Sequence, residues 1–551
     1  MAQVDGATVV AKALKAQGVQ FVFGIVGIPV STIATACQKE GITFVGMRHE
    51  QAAAYAAQAI SYLTGEIGVA LVVSGPGMTN ALTAFANAWS NCWPMLLIGG
   101  SSDLSQAGMG AFQETPQVAI AAPVAKWAAQ ETSIARLPQT IEQAIRTAMY
   151  GRPGPAYLDL PADIILGEAD DENITYPAHY PPTPRPLADP AAVKDAIAAL
   201  KSAEKPLVIV GKGAAWSHAE QEVIDFVDKT QLPYLASPMG KGVVPDDHTL
   251  STAAGRTYAL QNTDLIMLVG ARLNWIMHFG LPPRFRPDVR VIQMEIAPEE
   301  IGRNVPTEVA LVGDIKAVLG QVNAELDAEP WQFGKENDWR FGLNEAIEKN
   351  RAITAEMTAD SSLPLNYYRM LKELKDVAGR EAYIVSEGAS TMDIGRQVLD
   401  NYLPRHRLDA GSWGTMGVGP GFAIATQLAF PDQLVIDLEG DSAFGFDGME
   451  VEVACRHNLP IIFVVANNNG IGGGPPEINR DRPLPPGSYV PNAHYEKVIE
   501  AFGGDGYFTE TAEDFRKALD TAVERRRPSL IVVMLDPQAR RRPQQFAWLT
   551  R

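Results

Sequence analysis

Asp441, Asn468 and Gly470 are the residues of this chain whose types and spacing point most directly to chemistry. A carboxylate oxygen, an amide oxygen and a peptide carbonyl are hard donors, the kind of set Mg²⁺ takes when water and phosphate oxygens complete its shell. Gly440, Asp441, Ser442 and Ala443 form a run of small residues that lets main-chain N–H groups close on a phosphate, helped by the start of a following helix. The pattern reads as a metal-diphosphate clamp. Asp441, Asn468 and Gly470 would hold the metal, with Gly440, Ser442, Ala443 and Ile471 beside the diphosphate.

The elements around the clamp follow from hydrophobic patterning. Leu434 to Leu438 and Ile461 to Ala466 are short apolar runs rich in β-branched residues, which suits buried parallel strands with a crossover helix between them. Both turns then open at the carboxyl ends of neighbouring strands, where open α/β sheets hold ligands. The amino-terminal third has the same rhythm. Phe21 to Gly24 reads as a strand leading into a glycine turn with Gly27, and a strand ending at Arg48 leads into an alanine-rich helix opened by Glu50. Taken alone, Glu50 is a residue that favours the positive end of a helix. Val69 to Ser74 is a further strand, and the Gly75-Pro76-Gly77 turn after it brings Asn80 beside Glu50. A polar loop farther on carries Gln113 and Glu114.

Residues 173–190 are rich in proline and tyrosine and read as a linker. Pro206 to Val210, followed by Gly211-Lys212-Gly213, looks like the opening of a nucleotide-binding unit. The full GxGxxG is missing, which argues against NAD or FAD as the reactive cofactor. Arg152, Lys212, Arg272, Glu295, Ile296, Asp314 and Ile315 fall at strand ends where a nucleotide would lie, although a remodelled, purely structural domain fits the same pattern. The chain is thus expected to be α/β, with three doubly wound parallel-sheet domains at 1–172, 191–335 and 363–535. A second linker, charged and partly helical, is expected at 336–362. A basic tail at 536–551 carries Arg540, Arg541 and Arg542.

With 551 residues the chain exceeds one core, and length alone suggests roughly three or four domains. A net charge of −18 excludes nonspecific binding to nucleic acid or an anionic membrane as the expected role. Cys37, Cys92 and Cys455 form no CxxC pair, so neither a disulfide framework nor a zinc site is indicated. No apolar run approaches a membrane span and no signal-peptide pattern opens the chain. Cytoplasm is the expected location.

Gly440-Asp441-Ser442 with Asn467-Asn468, together with His49-Glu50-Gln51 and Gly414-Thr415-Met416-Gly417, resembles the motif set of thiamine diphosphate enzymes. Over nearly its whole length the chain is similar to the 2-hydroxyacyl-CoA lyase and oxalyl-CoA decarboxylase group. The resemblance implies thiamine diphosphate and Mg²⁺ as cofactors, bound between a pyrimidine domain, a diphosphate domain and a central domain that in some relatives carries ADP. It implies that Glu50 hydrogen-bonds the aminopyrimidine N1′ and favours the imino form that removes the C2 proton. Met416 would wedge beneath the cofactor, and the Gly414 carbonyl would receive its amino group. Gly27 and Asn80 would line the pyrimidine; Gln113 and Glu477 would serve as further catalytic groups. Arg405 and Arg540 to Arg542 would meet the phosphates of an acyl-CoA thioester. A homodimer or homotetramer is implied, with active sites between subunits. Oxalyl-CoA decarboxylases place Tyr-Glu where this chain has Phe112-Gln113, and the ending Phe546-Ala547-Trp548-Leu549-Thr550-Arg551 leans the same way, toward a lyase that splits 2-hydroxyacyl-CoA into formyl-CoA and an aldehyde or ketone, reversibly. An oxalyl-CoA decarboxylase is the alternative, and acetolactate synthase-like chemistry a more distant one. The lid Gly470-Ile471-Gly472-Gly473 departs from the group's usual Gly-Ile-Tyr.

Overall fold

The computed structural model describes residues 3–475, 477–479 and 481–539. Three parallel sheets carry the chain. The first contains β1 (Phe21–Gly24), β2 (Thr43–Gly46), β3 (Val69–Val72), β4 (Met95–Ser101), β5 (Trp127–Gln130) and β6 (Pro155–Pro161), in the spatial order β2-β1-β3-β4-β6-β5. The second contains β7 (Pro206–Val210), β8 (Tyr234–Ala236), β9 (Leu265–Val269), β10 (Arg290–Glu295) and β11 (Val309–Val312), ordered β8-β7-β9-β10-β11. The third contains β12 (Tyr383–Ser386), β13 (Arg407–Asp409), β14 (Val435–Gly440), β15 (Ile462–Asn467), β16 (Asp505–Thr509) and β17 (Ser529–Met534), ordered β13-β12-β14-β15-β17-β16. The first and third sheets therefore share one topology, as their similar strand–helix rhythm suggests. Central strands such as β14 and β15 are buried along almost their whole length; β15 is apolar from Ile462 to Ala466, while β14 carries two buried acids, Asp437 and Glu439, among its apolar residues.

Two helices weld the first and third domains together. Helix α1 (Glu50–Thr64) and α4 (Val418–Ala429) lie against each other; α2 (Pro76–Asn91) packs on α1 from the other side. Alanines at 52, 53, 54, 56, 57 and 59 are all buried and let the helices approach closely. At Gly421 a Cβ would stand 2.8 Å from the Ala52 carbonyl, so only glycine fits there. Tyr55 meets Phe422 edge-on at 5.8 Å, and Phe422 also packs on Trp93, which stacks on Tyr62. Between α2 and α4 in chain order, residues 338–359 form one 22-residue helix, α3 (Asp338–Ala359). The segment expected as a partly helical linker is thus a regular element. Its buried Trp339 and Leu343 belong to the core of the central domain, with Trp339 Nε1 donating to the Pro206 carbonyl at 3.0 Å.

Candidate active site

β14 and β15 are adjacent and parallel, with Gly440 in register with Ala466, so the turns that follow them open side by side. Helix α5 (Asp441–Asp447) starts at the first turn. Asp441 is buried; its Oδ1 accepts the Ser442 N–H and its Oδ2 the Gly470 N–H, both at 2.8 Å. Burial pushes its carboxyl up to about 6, and neighbouring backbone N–H groups oppose that shift. The Asn468 side-chain nitrogen donates to Tyr367 Oη at 2.9 Å, which turns its oxygen toward Asp441 Oδ1 at 3.3 Å and the Gly470 carbonyl at 2.7 Å. Three converging oxygens with no hydrogen between them repel one another unless a cation sits among them. Rotating the amide would satisfy these atoms without a cation, by donating to both acceptors; the donor chemistry suits a hard metal in the first orientation. Among the described residues no group of three His, Cys, Asp or Glu side chains is placed to hold a metal, so this mixed oxygen set is the candidate.

The lid after the clamp is pinned by a bridge between Gly470 and Ser488, and the Ile471 N–H donates to the Gly487 carbonyl at 2.8 Å. Gly470 and Gly473 both have positive φ and press on backbone carbonyls of Gly487 and Pro537, so the glycine-rich run reflects close packing. Ser442 and Tyr489 hydroxyls meet at 3.0 Å across it. Ile471 and Glu477 are exposed.

Glu50 is the first residue of α1 and its side chain is buried. Asn80 Nδ2 donates to its Oε2 at 3.1 Å, and a Cβ at Gly77 would lie 3.5 Å from Oε1. The loop bearing Gln113 closes over the same place. Gln113 has φ +58°, and its carbonyl is so near Gly75 that a Cβ there would stand 2.6 Å away. Gln117 fixes this arrangement by accepting the Gly75 N–H and donating to the Gly100 carbonyl and Asp159. Glu114 by contrast folds its own loop, accepting N–H groups from Gly108, Gly110 and Ala111. Gly27 borders Val73 of the neighbouring strand end, and its carbonyl accepts from Ser31.

The loop from Asp409 to Gly417 brings the third domain to the start of α1. Gln51 Nε2 donates to the Met416 carbonyl at 3.3 Å, and Tyr55 Oη lies 3.1 Å from Thr415 Oγ1. Gly414 has φ +67° and open space where a Cβ would be. Glu387, a fully buried carboxyl, holds the end of this loop by accepting the Gly417 and Gly419 N–H groups at 2.5 and 2.7 Å.

Below that loop lies a buried acidic group. Asp437 Oδ1 and Glu439 Oε1 come so near α4 that a Cβ on Gly419 would meet them at 2.7 and 2.8 Å. None of the four carboxylate oxygens of this pair finds a donor among the described residues, which favours a proton held between the two over a pair of ionised carboxylates. Burial raises both carboxyls and Glu387; it also pushes Asp447 up to about 7 and Glu450 up to about 8. Carboxyls raised in this way bind their protons more tightly folded than unfolded. The stability they lend is complete below the ordinary carboxylate range and drains away as pH rises through 7 to 8. Cofactor-free protein is therefore expected to melt at least about 3 °C lower at about pH 8.5 than at about pH 6.5. Scanning calorimetry across that range checks it; a flat profile would mean that the cluster is ionised throughout.

In the central domain, Arg152, Lys212, Arg272, Glu295, Ile296, Asp314 and Ile315 all line one cavity at the carboxyl ends of β7, β9 and β10. Arg152 is anchored by Glu300 at 2.7 Å and touches Cys92 Sγ through Nε at 3.0 Å. Arg272 donates to the Ser90 carbonyl, and Lys212 lies over the Trp93 ring. Burial pushes Lys212 down to about 7. Asp314 caps the next helix through the Ala317 N–H. Asn91, Asp409, Gly411 and Ser412 complete part of the wall. The Arg405 guanidinium donates to the Ala215 carbonyl and pairs with Glu220, joining the third domain to the central one. Arg540, Arg541 and Arg542 lie outside the described residues.

Several partners were invisible in the sequence. Glu387 sits in a turn with no recognisable motif, and Tyr367, Asn91 and Glu450 reach the site from elements remote in the chain. A buried acid in an apolar stretch, as at Glu387, was the one available signal.

Two parallel-sheet domains of equal topology, one ending in an oxygen clamp beside a helix start and the other presenting a buried glutamate, are the architecture of an α/β enzyme. Profiles of known families match in the same three places. The thiamine pyrophosphate enzyme N-terminal TPP binding domain matches residues 4–120, the central domain 193–322 and the C-terminal TPP binding domain 387–533. The 2-hydroxyacyl-CoA lyase 1 of Homo sapiens is 51% identical over 100% of this chain and 97% of its own length. The 2-hydroxyacyl-CoA lyase of Arabidopsis thaliana is 40% identical, over 97% of this chain and 96% of its own. The oxalyl-CoA decarboxylase of Escherichia coli K12 is 41% identical, over 97% and 95%. The chain belongs to the thiamine pyrophosphate (thiamine diphosphate) enzyme family.

Proposed function

We propose that this protein is a carbon–carbon lyase that cleaves a 2-hydroxyacyl-CoA into formyl-CoA and an aldehyde or ketone, and joins them in reverse. The observation that carries this reading is the likeness, end to end, to proteins named 2-hydroxyacyl-CoA lyase. The chain's Phe112-Gln113, on the loop that closes over Glu50, supports it over an oxalyl-CoA decarboxylase. Thiamine diphosphate, when bound, supplies an acidic C2–H and an electron sink for the cleaved bond. Asp441, the Asn468 oxygen and the Gly470 carbonyl would hold Mg²⁺, and the N–H groups at the start of α5 would face the diphosphate. Glu50, kept in place by Asn80, would hold a proton at N1′ of the aminopyrimidine. Gln113 and Glu477 are proposed to meet the substrate, Gln113 from the loop over Glu50 and Glu477 from the lid.

The central cavity is proposed to take ADP, with Lys212, Arg152 and Arg272 toward the diphosphate and Glu295 or Asp314 toward a ribose. A second copy of the chain is proposed to complete the active site; Ile28, 77% exposed beside Gly27, and Phe446, 60% exposed on α5, are the kind of apolar side chains it would cover. Cytoplasm remains the proposed location. No helix among the described residues is long and apolar enough to cross a membrane.

The test is product identification. Protein loaded with Mg²⁺ and thiamine diphosphate is expected to convert a 2-hydroxyacyl-CoA thioester to formyl-CoA and the shortened aldehyde, read by mass spectrometry, with little CO₂ from oxalyl-CoA. Faster turnover of oxalyl-CoA with CO₂ release would reverse the assignment. Acid extraction of the same preparation is expected to yield ADP near one per chain, and its absence after supplementation would remove the nucleotide from the central cavity.

A further inference from the structure

We propose that Glu450 is a positioning residue that ties the clamp helix of a chain to the backbone turn carrying that chain's Glu50. Helix α5 begins at Asp441, and the chain continues through the 3₁₀ turn Gly448–Glu450 directly after it. Glu450 is buried at 1% exposure, and its carboxylate reaches into the first domain. Oε1 accepts the Arg48 N–H at 3.0 Å and the His49 N–H at 2.8 Å; Oε2 accepts the Arg48 N–H at 3.1 Å. These two peptides immediately precede Glu50. A second strap comes from the same part of the third domain: Arg456 Nη2 donates to the Gly46 carbonyl at 2.5 Å. The turn between β2 and α1 is therefore held by an acid on its N–H groups and a base on its carbonyl.

The arrangement is more than helix capping, because His49 already accepts the Gln51 N–H within the turn. Glu450 instead fixes where α1 begins relative to the third domain. A glutamate that must reach one ring nitrogen at hydrogen-bond distance tolerates little displacement, and a misplacement of about 1 Å can cost roughly 100-fold in rate. Both straps run from the element that follows the clamp, so the Glu50 turn is held to the third domain of its own chain. The proposal rests on the reading that Glu50 acts on the cofactor's aminopyrimidine.

Two measurements test it. In the cofactor-free protein, Glu450→Ala is expected to speed amide hydrogen exchange at Arg48 and His49 at least about tenfold. In protein saturated with Mg²⁺ and thiamine diphosphate, the same variant is expected to slow deuterium exchange at the cofactor C2, read by acid quench and NMR, about 10- to 100-fold. Cofactor affinity should change less than about threefold, because no clamp ligand is touched. Glu450→Gln keeps an acceptor oxygen for both N–H groups and is expected to restore both readouts. Unchanged C2 exchange in a folded Glu450→Ala protein overturns the proposal, as does a Glu450→Gln protein as impaired as the alanine variant. Should Glu450→Ala fail to fold, Arg456→Met, which removes the bond to the Gly46 carbonyl together with a surface pair to Glu452, takes its place; it is expected to slow C2 exchange severalfold, and wild-type exchange there is the overturning result. Glu50→Gln separates the two readings. If it too retains C2 exchange, the role of Glu50 falls first; if it loses exchange while Glu450→Ala keeps it, only the tether falls.

Discussion

Replacing Glu50 by Gln is expected to reduce turnover by about 10²- to 10⁴-fold, the usual worth of a positioned proton-transfer group. Gln can still accept the Asn80 hydrogen bond that Glu50 Oε2 accepts now, and its size is nearly the same, so α1 and its packing on α4 should survive. What the amide cannot do is hold and release a proton at the ring nitrogen. Cofactor affinity should therefore fall far less than rate. Steady-state turnover, paired with a cofactor titration of the same variant, provides the check. A variant with full turnover and normal cofactor binding would remove Glu50 from the proton path and leave it as the residue that opens α1.

Asp441→Ala is the other large effect. Outer-shell partners alone are worth about 10- to 100-fold in metal affinity, so deleting a ligand should exceed about 100-fold. The aspartate also organises the site before any metal arrives. It takes the Ser442 and Gly470 N–H groups on its two oxygens and so sets the distance between the turn after β14 and the turn after β15. Without it, the Asn468 oxygen and the Gly470 carbonyl would lack the anionic member of the set. Cofactor retention in the presence of Mg²⁺, followed by gel filtration and assay of bound thiamine diphosphate, should drop to the level seen with chelator. Retention equal to that of the unaltered protein would place the metal elsewhere.

The sequence carried the clamp and the Glu50 turn because each is local. Asp441 and Asn468 sit at the ends of two strands whose apolar runs announce themselves, and register then brings the two turns together. The central cavity was legible for the same reason: residues after successive parallel strands must share one edge. The partners that hold these groups were not. The N–H groups of Arg48 and His49 are gripped by a carboxylate some 400 positions away in the chain, and Glu387 reaches across to Gly417 and Gly419. The first contact depends on how domains dock and the second on how a turn packs within the third domain, and neither periodicity nor spacing encodes either. Residues 336–362, read as a charged and partly helical linker, are helical over most of their length. Within that helix Trp339, Leu343 and Ile347 are buried on one side, while Phe341 is exposed. Arg405, which the resemblance implied would meet a phosphate, pairs with Glu220.

The segment Asp409 to Gly417 forms part of the floor of the central cavity with Asp409, Gly411 and Ser412, and a few residues later reaches the start of α1 through Thr415 and Met416. Gly411 is pressed against Asn91 and Gly417 is fixed by Glu387, so both ends of the span are anchored. Its length is consequently under two requirements at once. An insertion or deletion that suited a new occupant on one side would put the other out of step, so in this fold the two pockets can diverge by exchanging side chains along the strip but not by changing its residue count.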